Sequence, residues 1–490
     1  MPAQNFLAFD LGAESGRAML GRLDDKLNLE EVHRFANGPV RIGGSLHWDI
    51  LRLWAEIQTG LGLAAERADT LSGIGIDTWG VDYALLDSAD RLLGNPYHYR
   101  DARTNGMIEA ACEIVPRGEI YRQTGIQFMQ LNTLFQLFAM RRAGEPTLDL
   151  ARTFLTIPDL LNFWLTGEKA SEFTNATTTQ CYNSREKRWA DELLSALGIP
   201  TGIFLPVTQP GTVLGQMHPW LATGTGCGRV PVAAVGCHDT ASAVAAVPAQ
   251  NDDFIYISSG TWSLIGIEIF QPIVNEASLK YNLTNEGGVG GTIRFLKNIM
   301  GMWPLQESRR EWAHAGKNFS YDDLTRLAAE APALKTLICP SDNIFLAPGG
   351  MVGRIQQSCR ERGQLVPQTD GEVVRCILES LALEYRWNVE KLRELSGKAL
   401  PVIHIIGGGS RNRLLNQFTA DATGCTVIAG PVEATAIGNI IVQAVALGQV
   451  ASLAEGRALI RRSFDVAAFE PANRQVWDDA YGRYLKLRGQ

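Results

Sequence analysis

An acid and two glycines form the first pattern in the chain that could do chemistry. Asp10 ends an apolar run at 6–9 and is followed by a small-residue turn that contains Gly12 and Gly16. Glycine lets a backbone turn tightly and bring its N–H groups close to a ligand, and a row of such groups binds phosphate. An aspartate at the strand end is placed to hold a divalent cation through water. The opening residues therefore predict a phosphate loop beside a metal site.

The same order of elements returns near the middle of the chain. An apolar strand is predicted over 254–257, followed by a turn at 258–261 and a second strand over 262–267. Two strand–turn–strand loops, one opening each half, predict a duplicated nucleotide-binding protein that closes on ATP from both sides. Neither loop is a dinucleotide fingerprint or a P-loop, because no GxGxxG or GxxxxGK[ST] pattern opens the chain.

A third pattern places an acid after the apolar run at 230–236. Asp239 precedes a small-residue helix predicted over 241–246, and an acid at a strand end faces the ligand-binding edge of an α/β sheet. This position predicts a general base for a hydroxyl nucleophile. The alternative is that Asp239 is the N-cap of the helix that follows, and one carboxylate could do both.

Two further patterns are open to more than one interpretation. A cluster of acids and arginines brackets short apolar strands, which suits a polyhydroxylated sugar or a solvated ion-pair network. A glycine run at 407–409 follows a strand, where it allows a nucleotide to approach the backbone or only forms a tight turn. Asn298 and Gln306 are expected in one helix, and the threonine-rich run at 175–180 is expected to be a loop. The cluster comprises Asp77, Asp82, Arg100, Asp101 and Arg103.

Length and composition limit the class of protein. A chain of 490 residues is too long for one ordinary core, so two large domains are expected. The net charge of −7 argues against nucleic acid or an anionic membrane as a partner. Eight scattered cysteines without a CxxC pair, and no signal peptide, predict a cytoplasmic protein. We expect a monomer or small homo-oligomer with small-molecule partners and, because the histidines lack ligand spacing, no structural zinc.

Together these residues resemble a known family. The loops at 10–17 and 259–261 and the glycines at 407–409 are similar to those of the FGGY carbohydrate kinases. That family includes glycerol kinase and xylulokinase and shares the duplicated fold of actin, hexokinase and the heat-shock chaperones. Six more blocks narrow the resemblance to the kinases of L-rhamnulose: GIDTWGVD at 75–82, YRDARTN at 99–105, FTNATTTQ at 173–180, HDTASAV at 238–244, LKNIMG at 296–301 and GPVEAT at 430–435.

The resemblance implies a fold and an activity. The fold is two ribonuclease-H-like (actin-like ATPase) α/β domains flanking a deep interdomain cleft. The activity is ATP-dependent phosphorylation of the 1-hydroxyl of L-rhamnulose in L-rhamnose breakdown, with Mg²⁺ held by Asp10 through water and Asp239 as the proton acceptor. The residues implied to bind ATP are Ala13, Glu14, Ser15, Gly16, Arg17, Thr261, Gln306 and Gly408. Those implied to line the sugar are Gly80, His238, Asp239, Thr240 and Asn298.

The polar stretch at 248–253 is the expected domain boundary. It separates an N-terminal domain over 1–247, with the sugar site and the first phosphate loop, from a C-terminal domain over 254–490, with the second phosphate loop and the adenosine site. Alternating strands and helices after an antiparallel start predict an α/β sheet in each half.

Glu14 departs from the family pattern, in which this position often carries a small polar residue. A negative charge beside a triphosphate is unfavourable, so we expect its side chain to point outward. Two alternative functions stay open at this point. One is the same chemistry on another ketose, such as L-fuculose or xylulose, and the other is an ATP-switched binding protein without sugar kinase activity.

Overall fold

A computed structural model describes residues 4–489. Strands and helices alternate along most of the chain after an opening run of strands. The strands are β1 (Gln4–Leu11), β2 (Ser15–Leu23), β3 (Leu27–Ala36), β4 (Pro39–Ile42), β5 (Ser45–Trp48), β6 (Gly73–Thr78), β7 (Tyr83–Leu86), β8 (Thr153–Thr156), β9 (Ser171–Glu172), β10 (Tyr182–Asn183), β11 (Arg188–Trp189), β12 (Val207–Thr208), β13 (Thr212–Gln216), β14 (Pro231–Ala234), β15 (Phe254–Ser259), β16 (Trp262–Ile269), β17 (Thr284–Gly287), β18 (Ile293–Met300), β19 (Val402–Ile406), β20 (Thr426–Ala429) and β21 (Ala467–Phe469).

The α-helices range from single turns to one long helix in the second half of the chain. They are α1 (Ile50–Arg67), α2 (Met107–Ile114), α3 (Arg117–Thr124), α4 (Thr133–Ala143), α5 (Pro146–Leu150), α6 (Ile157–Thr166), α7 (Phe173–Ala176), α8 (Asp191–Ala196), α9 (Pro219–Thr225), α10 (Asp239–Ala245), α11 (Glu276–Lys280), α12 (Trp303–His314), α13 (Tyr321–Glu330), α14 (Met351–Glu361), α15 (Asp370–Ser396), α16 (Arg413–Thr423), α17 (Ala434–Ala446), α18 (Leu453–Ser463) and α19 (Arg474–Leu487). No helix within residues 4–489 combines the length and the apolar character that crossing a membrane requires.

The opening strands build the first large sheet. Within the described residues its strand order is β13-β14-β6-β1-β2-β3. β1 pairs antiparallel with β2 and parallel with β6, and β6 in turn pairs parallel with β14. β6 is buried along its whole length, as expected for a parallel strand that is covered on both faces. The carboxyl ends of β1 and β6 carry Asp10 and Asp77, so the sheet itself positions the first predicted site residues.

A second large sheet repeats this plan. Its strand order within residues 4–489 is β17-β18-β16-β15-β19-β20-β21. β15 pairs antiparallel with β16 and parallel with β19, and β19 pairs parallel with β20. β15 therefore holds the place in this sheet that β1 holds in the first. The prediction of an α/β fold built on a duplicated plan is confirmed.

The chain divides into two compact units that do not follow its two halves. The first unit consists of Met1–Gln250, Glu268–Phe295 and Ala434–Phe464, and the second unit of Asn251–Ile267, Leu296–Glu433 and Asp465–Gln490. Helices α17 and α18 thus pack in the first unit. Gln443 of α17, for example, donates a hydrogen bond to the carbonyl of Leu7 in β1 (3.1 Å). The domain limits expected from the sequence, 1–247 and 254–490, stay a prediction.

Helix α10 packs tightly against α17 through a glycine. A Cβ atom at Gly438 would lie 1.7 Å from the carbonyl oxygen of Ser242, so only a residue without a side chain lets the two helices approach this closely. Because α10 begins at Asp239, this contact fixes the helix that carries the predicted catalytic base.

Two local predictions need correction. Asn298 and Gln306 do not share a helix, because Asn298 lies in β18 and Gln306 in α12. The strand ends between them, just before Gly301, where a Cβ would lie 2.7 Å from the backbone carbon of Trp262. The run at 175–180 was expected to be a loop but forms helical turns, in which threonine hydroxyls bond carbonyls three residues earlier, as Thr178 does to Asn175 (2.8 Å).

The glycine in the α10–α17 contact generates a stability prediction. We expect Gly438→Ala to lower the free energy of unfolding by about 3 kcal/mol, since overpacking against a backbone atom forces both helices to shift. The matched control is Gly482→Ala in α19, where a Cβ would meet nothing within 4 Å. That change should stabilise the protein by up to about 1 kcal/mol because alanine is the better helix former. Thermal unfolding of both variants tests this, and a Gly438→Ala variant as stable as the parent would contradict the packing described.

Candidate active site

The first predicted phosphate loop is the turn between β1 and β2. The Gly12 N–H donates to the Ser15 carbonyl (2.9 Å), and Asn37 donates to the carbonyls of Gly12 and Glu14. No backbone acceptor within residues 4–489 takes the N–H of Ala13 or Glu14, and the Glu14 side chain is exposed. Unengaged amides in a tight turn are the groups that bind phosphate oxygens. The turn can therefore receive a phosphate on its backbone.

Carboxylates converge beside this turn. Asp10 and Asp77 are directly opposite each other in the parallel pair β1–β6. Arg17 pairs with Asp10 (2.5 Å), and Asn439 donates to one oxygen of Asp77 (2.6 Å). The second Asp77 oxygen, Oδ1, is buried without a hydrogen bond within the described residues. Burial raises the pKa of Asp77 well above its usual value, and the charges of Asp10 and Asp239 add to the shift.

Asp239 begins α10 and is partly open to solvent. Its Oδ1 accepts a hydrogen bond from Thr240 Oγ1 (2.9 Å) and lies 3.4 Å from Nε2 of His238, whereas its Oδ2 accepts none within residues 4–489. The N-cap of the helix is His238, and no side chain caps the first turn. The interpretation of Asp239 as the N-cap is therefore wrong. One carboxylate oxygen is left to accept a proton.

The backbone of His238 is held by a buried acid that no sequence pattern singled out. The His238 N–H donates to Thr174 Oγ1 (3.1 Å), and that hydroxyl donates to Glu172 (2.6 Å). Glu172 is fully buried and also accepts the backbone N–H groups of Thr174 and Asn175. Burial raises the pKa of Glu172 to about 7. Its one signal in the sequence is its position directly before the block at 173–180.

Gly80 lies in a strained turn after β6. The neighbouring Val81 has a φ of 69°, which is rare for a β-branched residue. Val81 N–H donates to Thr178 Oγ1 (3.0 Å), and its carbonyl accepts a hydrogen bond from Thr133 (2.5 Å). A Cβ at Gly80 would lie 3.0 Å from the same Thr178 hydroxyl. Contacts with neighbouring residues thus hold Val81 in a backbone conformation that is unfavourable by itself, which is typical of functional sites.

Asp82 links the Gly80 turn to other segments of the first unit. It is fully buried and accepts hydrogen bonds from the indole N–H groups of Trp48 (2.6 Å) and Trp79 (3.0 Å) and from Gln136 (2.9 Å). Burial raises its pKa to about 6 even though these donors oppose the shift.

Asp101 and Arg103 of the predicted sugar cluster are also engaged by the protein, whereas Arg100 is exposed. Asp101 is buried and accepts the backbone N–H groups of Leu46 (2.6 Å) and Arg103 (3.0 Å). The guanidinium of Arg103 stacks 3.8 Å from the ring centre of Tyr97. The acids of the cluster are therefore buried and do not form a solvated ion-pair network. Asp82 and Asp101 instead organise the loops around the Gly80 turn.

The second unit brings three of the predicted nucleotide residues close together in the fold. The turn between β15 and β16 consists of Gly260 and Thr261, and the Thr261 carbonyl accepts the N–H groups of Gly301 (3.1 Å) and Trp303 (3.2 Å). Trp303 begins α12, so Gln306 lies in the first turn of the helix that is tied to this loop.

The glycine run packs against the same hairpin. Gly407 has a φ of +81°, and a Cβ at Gly409 would lie 2.0 Å from Oγ of Ser259. Between them, Gly408 is exposed, and a Cβ there would meet nothing within 4 Å. Its backbone is therefore accessible to a ligand. Asn298, in β18, also belongs to the second unit, whereas Gly80, His238, Asp239 and Thr240 belong to the first.

The described residues do not form a preformed metal site. Within 4–489, no three His, Cys, Asp or Glu side chains are grouped so that they could hold a metal ion. A cation at Asp10 would therefore take most of its ligands from water and from a bound ligand.

Comparison with known proteins identifies the class. Residues 5–246 match the N-terminal domain, and residues 255–447 the C-terminal domain, of the FGGY family of carbohydrate kinases. The chain belongs to this family and is a sugar kinase, a class that uses ATP, typically with a divalent metal ion.

Within the family, curated relatives named rhamnulokinase cover nearly the whole chain. The protein from Bacteroides thetaiotaomicron is 47% identical over 98% of both chains, and that from Pectobacterium atrosepticum is 44% identical over 99% of this chain and 97% of its own. The relative from Oceanobacillus iheyensis is 43% identical over 94% of this chain and 97% of its own.

Solved structures share the fold at lower identity. A ligand-bound xylulose kinase from Lactobacillus acidophilus superposes with a TM-score of 0.83 at 17% identity, covering 99% of this chain and 98% of its own. The ADP complex of Plasmodium falciparum glycerol kinase gives 0.81 at 15% identity with the same coverage. The two-domain kinase fold expected from the sequence is confirmed.

The buried carboxylate of Asp82 generates a pH prediction. Because its pKa is raised from 3.8 to about 6 on folding, its contribution to stability is present below about pH 4 and is lost as the pH rises through 6. In Asp82→Asn this dependence is absent. We expect the stability of the variant relative to the parent to rise by roughly 3 kcal/mol between pH 4 and pH 7. Melting temperatures across this range measure it, with Asp25→Asn on the exposed β2–β3 turn as the control. A constant difference across the range would show that Asp82 does not carry the shift.

Proposed function

We propose that this protein phosphorylates the 1-hydroxyl of L-rhamnulose with ATP, giving L-rhamnulose 1-phosphate and ADP in L-rhamnose catabolism. The observation that carries the proposal is the 47% identity over 98% of both chains to a curated rhamnulokinase. The geometry supports the same chemistry. Asp239 begins α10, and its carboxylate does not cap the helix, so that one of its oxygens accepts no hydrogen bond from the described residues. The same unit contains Asp10, Asp77 and the turn between β1 and β2.

Each of the two units contributes some of the proposed binding residues. ATP phosphates bind the turn between β1 and β2 and the turn at Thr261, where backbone amides supply the donors. The sugar binds beside the Gly80 turn and α10. The proposed ATP residues are Ala13, Glu14, Ser15, Gly16, Arg17, Thr261, Gln306 and Gly408, and the proposed sugar residues are Gly80, His238, Asp239, Thr240 and Asn298.

Asp239 is the proposed base. Phosphoryl transfer needs positioning and neutralisation of charge more than covalent help from the protein. The sugar hydroxyl gives its proton to Oδ2 of Asp239 while its oxygen bonds to the γ-phosphorus and the bond to ADP breaks. Thr240, which donates to Oδ1, keeps the carboxylate oriented.

Mg²⁺ is the proposed cofactor, with Asp10 as its protein partner through water. The residues fit a divalent cation, because Asp10 and Asp77 face each other across β1–β6 and Asp77 keeps an unpartnered buried oxygen. When bound with ATP, the ion neutralises phosphate charge. Asp10 would hold the ion through water, and Arg17 balances the charge of Asp10.

The other expectations about partners and location are proposals as well. The net charge of −7 supports small-molecule partners over nucleic acid or a membrane surface. We propose a cytoplasmic monomer or small homo-oligomer.

Substrate choice tests the proposal directly. We expect ADP release that depends on L-rhamnulose, with a much smaller kcat/KM for glycerol, while L-fuculose and xylulose are measured as the rival ketoses. A site that hydrogen-bonds several hydroxyls rejects ligands that lack them, by up to about 10⁴-fold. A coupled ADP assay across these sugars, repeated with excess chelator to remove Mg²⁺, measures both selectivity and metal dependence. A kcat/KM for glycerol equal to that for L-rhamnulose would refute the sugar assignment. Full activity in excess chelator would refute the role of the metal ion. If no sugar stimulates ADP release, the ATP-switched binding protein is favoured.

The second test replaces the proposed base. Asp239→Asn keeps the size of the side chain but cannot accept the proton, so kcat should fall by roughly 10²–10⁴. Because the carboxylate does not cap α10, the melting temperature should change little. Thr212→Val on the exposed edge strand β13 provides a control outside the site. Turnover of folded Asp239→Asn within a few-fold of the parent would mean that the proton goes elsewhere.

A further inference from the structure

A fully buried arginine contacts the side chain of His238. Arg294, in β18, has no exposed surface. Its Nη2 lies 2.9 Å from Nδ1 of His238 and 3.2 Å from Glu286, and its Nε donates to the carbonyl of Gly287 (2.7 Å). All of these residues belong to the first unit. Neither the resemblance nor the motifs of the sequence point to Arg294 or Glu286.

This contact decides the protonation of the imidazole ring. A guanidinium can only donate hydrogen bonds, so Nδ1 of His238 must be the acceptor and carries no proton. The proton of the neutral ring is then on Nε2. The competing arrangement, with Nδ1–H donating to Glu286, spans a longer distance of 3.4 Å and would set two N–H groups against each other 2.9 Å apart.

The Nε2–H tautomer has a consequence for Asp239. Nε2 faces Oδ1 of Asp239 at 3.4 Å, and the same oxygen accepts the Thr240 hydroxyl (2.9 Å). The Thr240 hydroxyl thus donates to Oδ1, and the Nε2–H group lies nearest to the same oxygen without the alignment of a hydrogen bond. The lone pairs of Oδ2 are left for the substrate hydroxyl.

Charge favours the same arrangement. The buried positive charge of Arg294 is balanced by Glu286 at 3.2 Å, as a buried guanidinium requires. A proton on Nδ1 would face the guanidinium of this pair. The pair Arg294–Glu286 therefore orients the imidazole next to the proposed base, with Nδ1 as the acceptor.

We propose that Arg294, oriented by Glu286, is a positioning residue that fixes His238 as its Nε2–H tautomer and so selects Oδ2 of Asp239 as the oxygen that accepts the proton. The tautomer follows from the geometry of the first unit alone. Its effect on turnover rests on the proposed function.

The tautomer can be measured without any substrate. In protein labelled with [¹⁵N]histidine, long-range ¹⁵N–¹H spectra at about pH 8.5, two units above the reference histidine pKa, distinguish the two neutral forms. His238→Gln identifies the signals among the seven histidines. We expect a protonated Nε2 and a bare Nδ1 in the parent and in Arg294→Lys, which keeps a donor, and a mixture of tautomers in Arg294→Met. An Nδ1–H tautomer in the parent would overturn the proposal.

Kinetics test the consequence for the reaction. Arg294→Met should lower kcat with L-rhamnulose by about tenfold to a hundredfold, as small displacements of a reacting group do, while the KM for ATP stays within twofold. Arg294→Lys should recover part of the loss. The control is Arg457→Met, which removes another buried arginine of the first unit, paired with Glu268. It should lower the melting temperature and leave kcat within twofold.

These outcomes separate the inference from the function on which it rests. Folded Arg294→Met with parental kcat would overturn the positioning role. If the parent turns over no ketose, the proposed function fails, and the NMR result alone decides whether Arg294 sets the tautomer. If Arg294→Met does not fold, the tautomer of the parent and the kinetics of Arg294→Lys decide.

Discussion

The first unit is organised by the need to satisfy carboxylates that are buried away from water. Asp77, Asp82, Asp159 and Glu172 have almost no exposed surface, and burial raises the pKa of each. A buried acid is tolerated only where the protein supplies donors to it. The donors to Asp77 and Asp82 come in part from distant parts of the chain, so these two acids join segments that local propensity alone would not bring together. Glu172 is bonded by the residues that directly follow it.

The connections made in this way converge on the site. Asp82 joins two tryptophans to the Gly80 turn, and Glu172 holds Thr174, which in turn holds the backbone of His238. Asp77 receives its hydrogen bond from Asn439, far along the chain. These buried acids thus help to place the proposed catalytic groups.

The sequence was informative wherever one residue type at one position determines a local structure. Glycines at tight turns and apolar strands that end in an acid predicted the two strand–turn–strand hairpins, β19 and the duplicated plan. The sequence did not predict that Asn298 lies in a strand, because the end of that strand at Gly301 depends on close packing against the hairpin of the second sheet, which no local pattern encodes. No sequence pattern singled out Arg294 or Glu172, for the same reason. Arg294 contacts His238 directly and Glu172 reaches it through Thr174, and His238 is distant from both in sequence.

The inclusion of Ala434–Phe464 in the first unit has a consequence for how the protein is made. Synthesis runs from the amino terminus, so the strands that form the first sheet leave the ribosome hundreds of residues before α17 does. Until then, Asp77 lacks its partner Asn439, and the face of α10 that receives Gly438 stays uncovered. The unit that is translated first is therefore completed almost last, and the nascent chain must keep an unfinished apolar surface from aggregating throughout elongation.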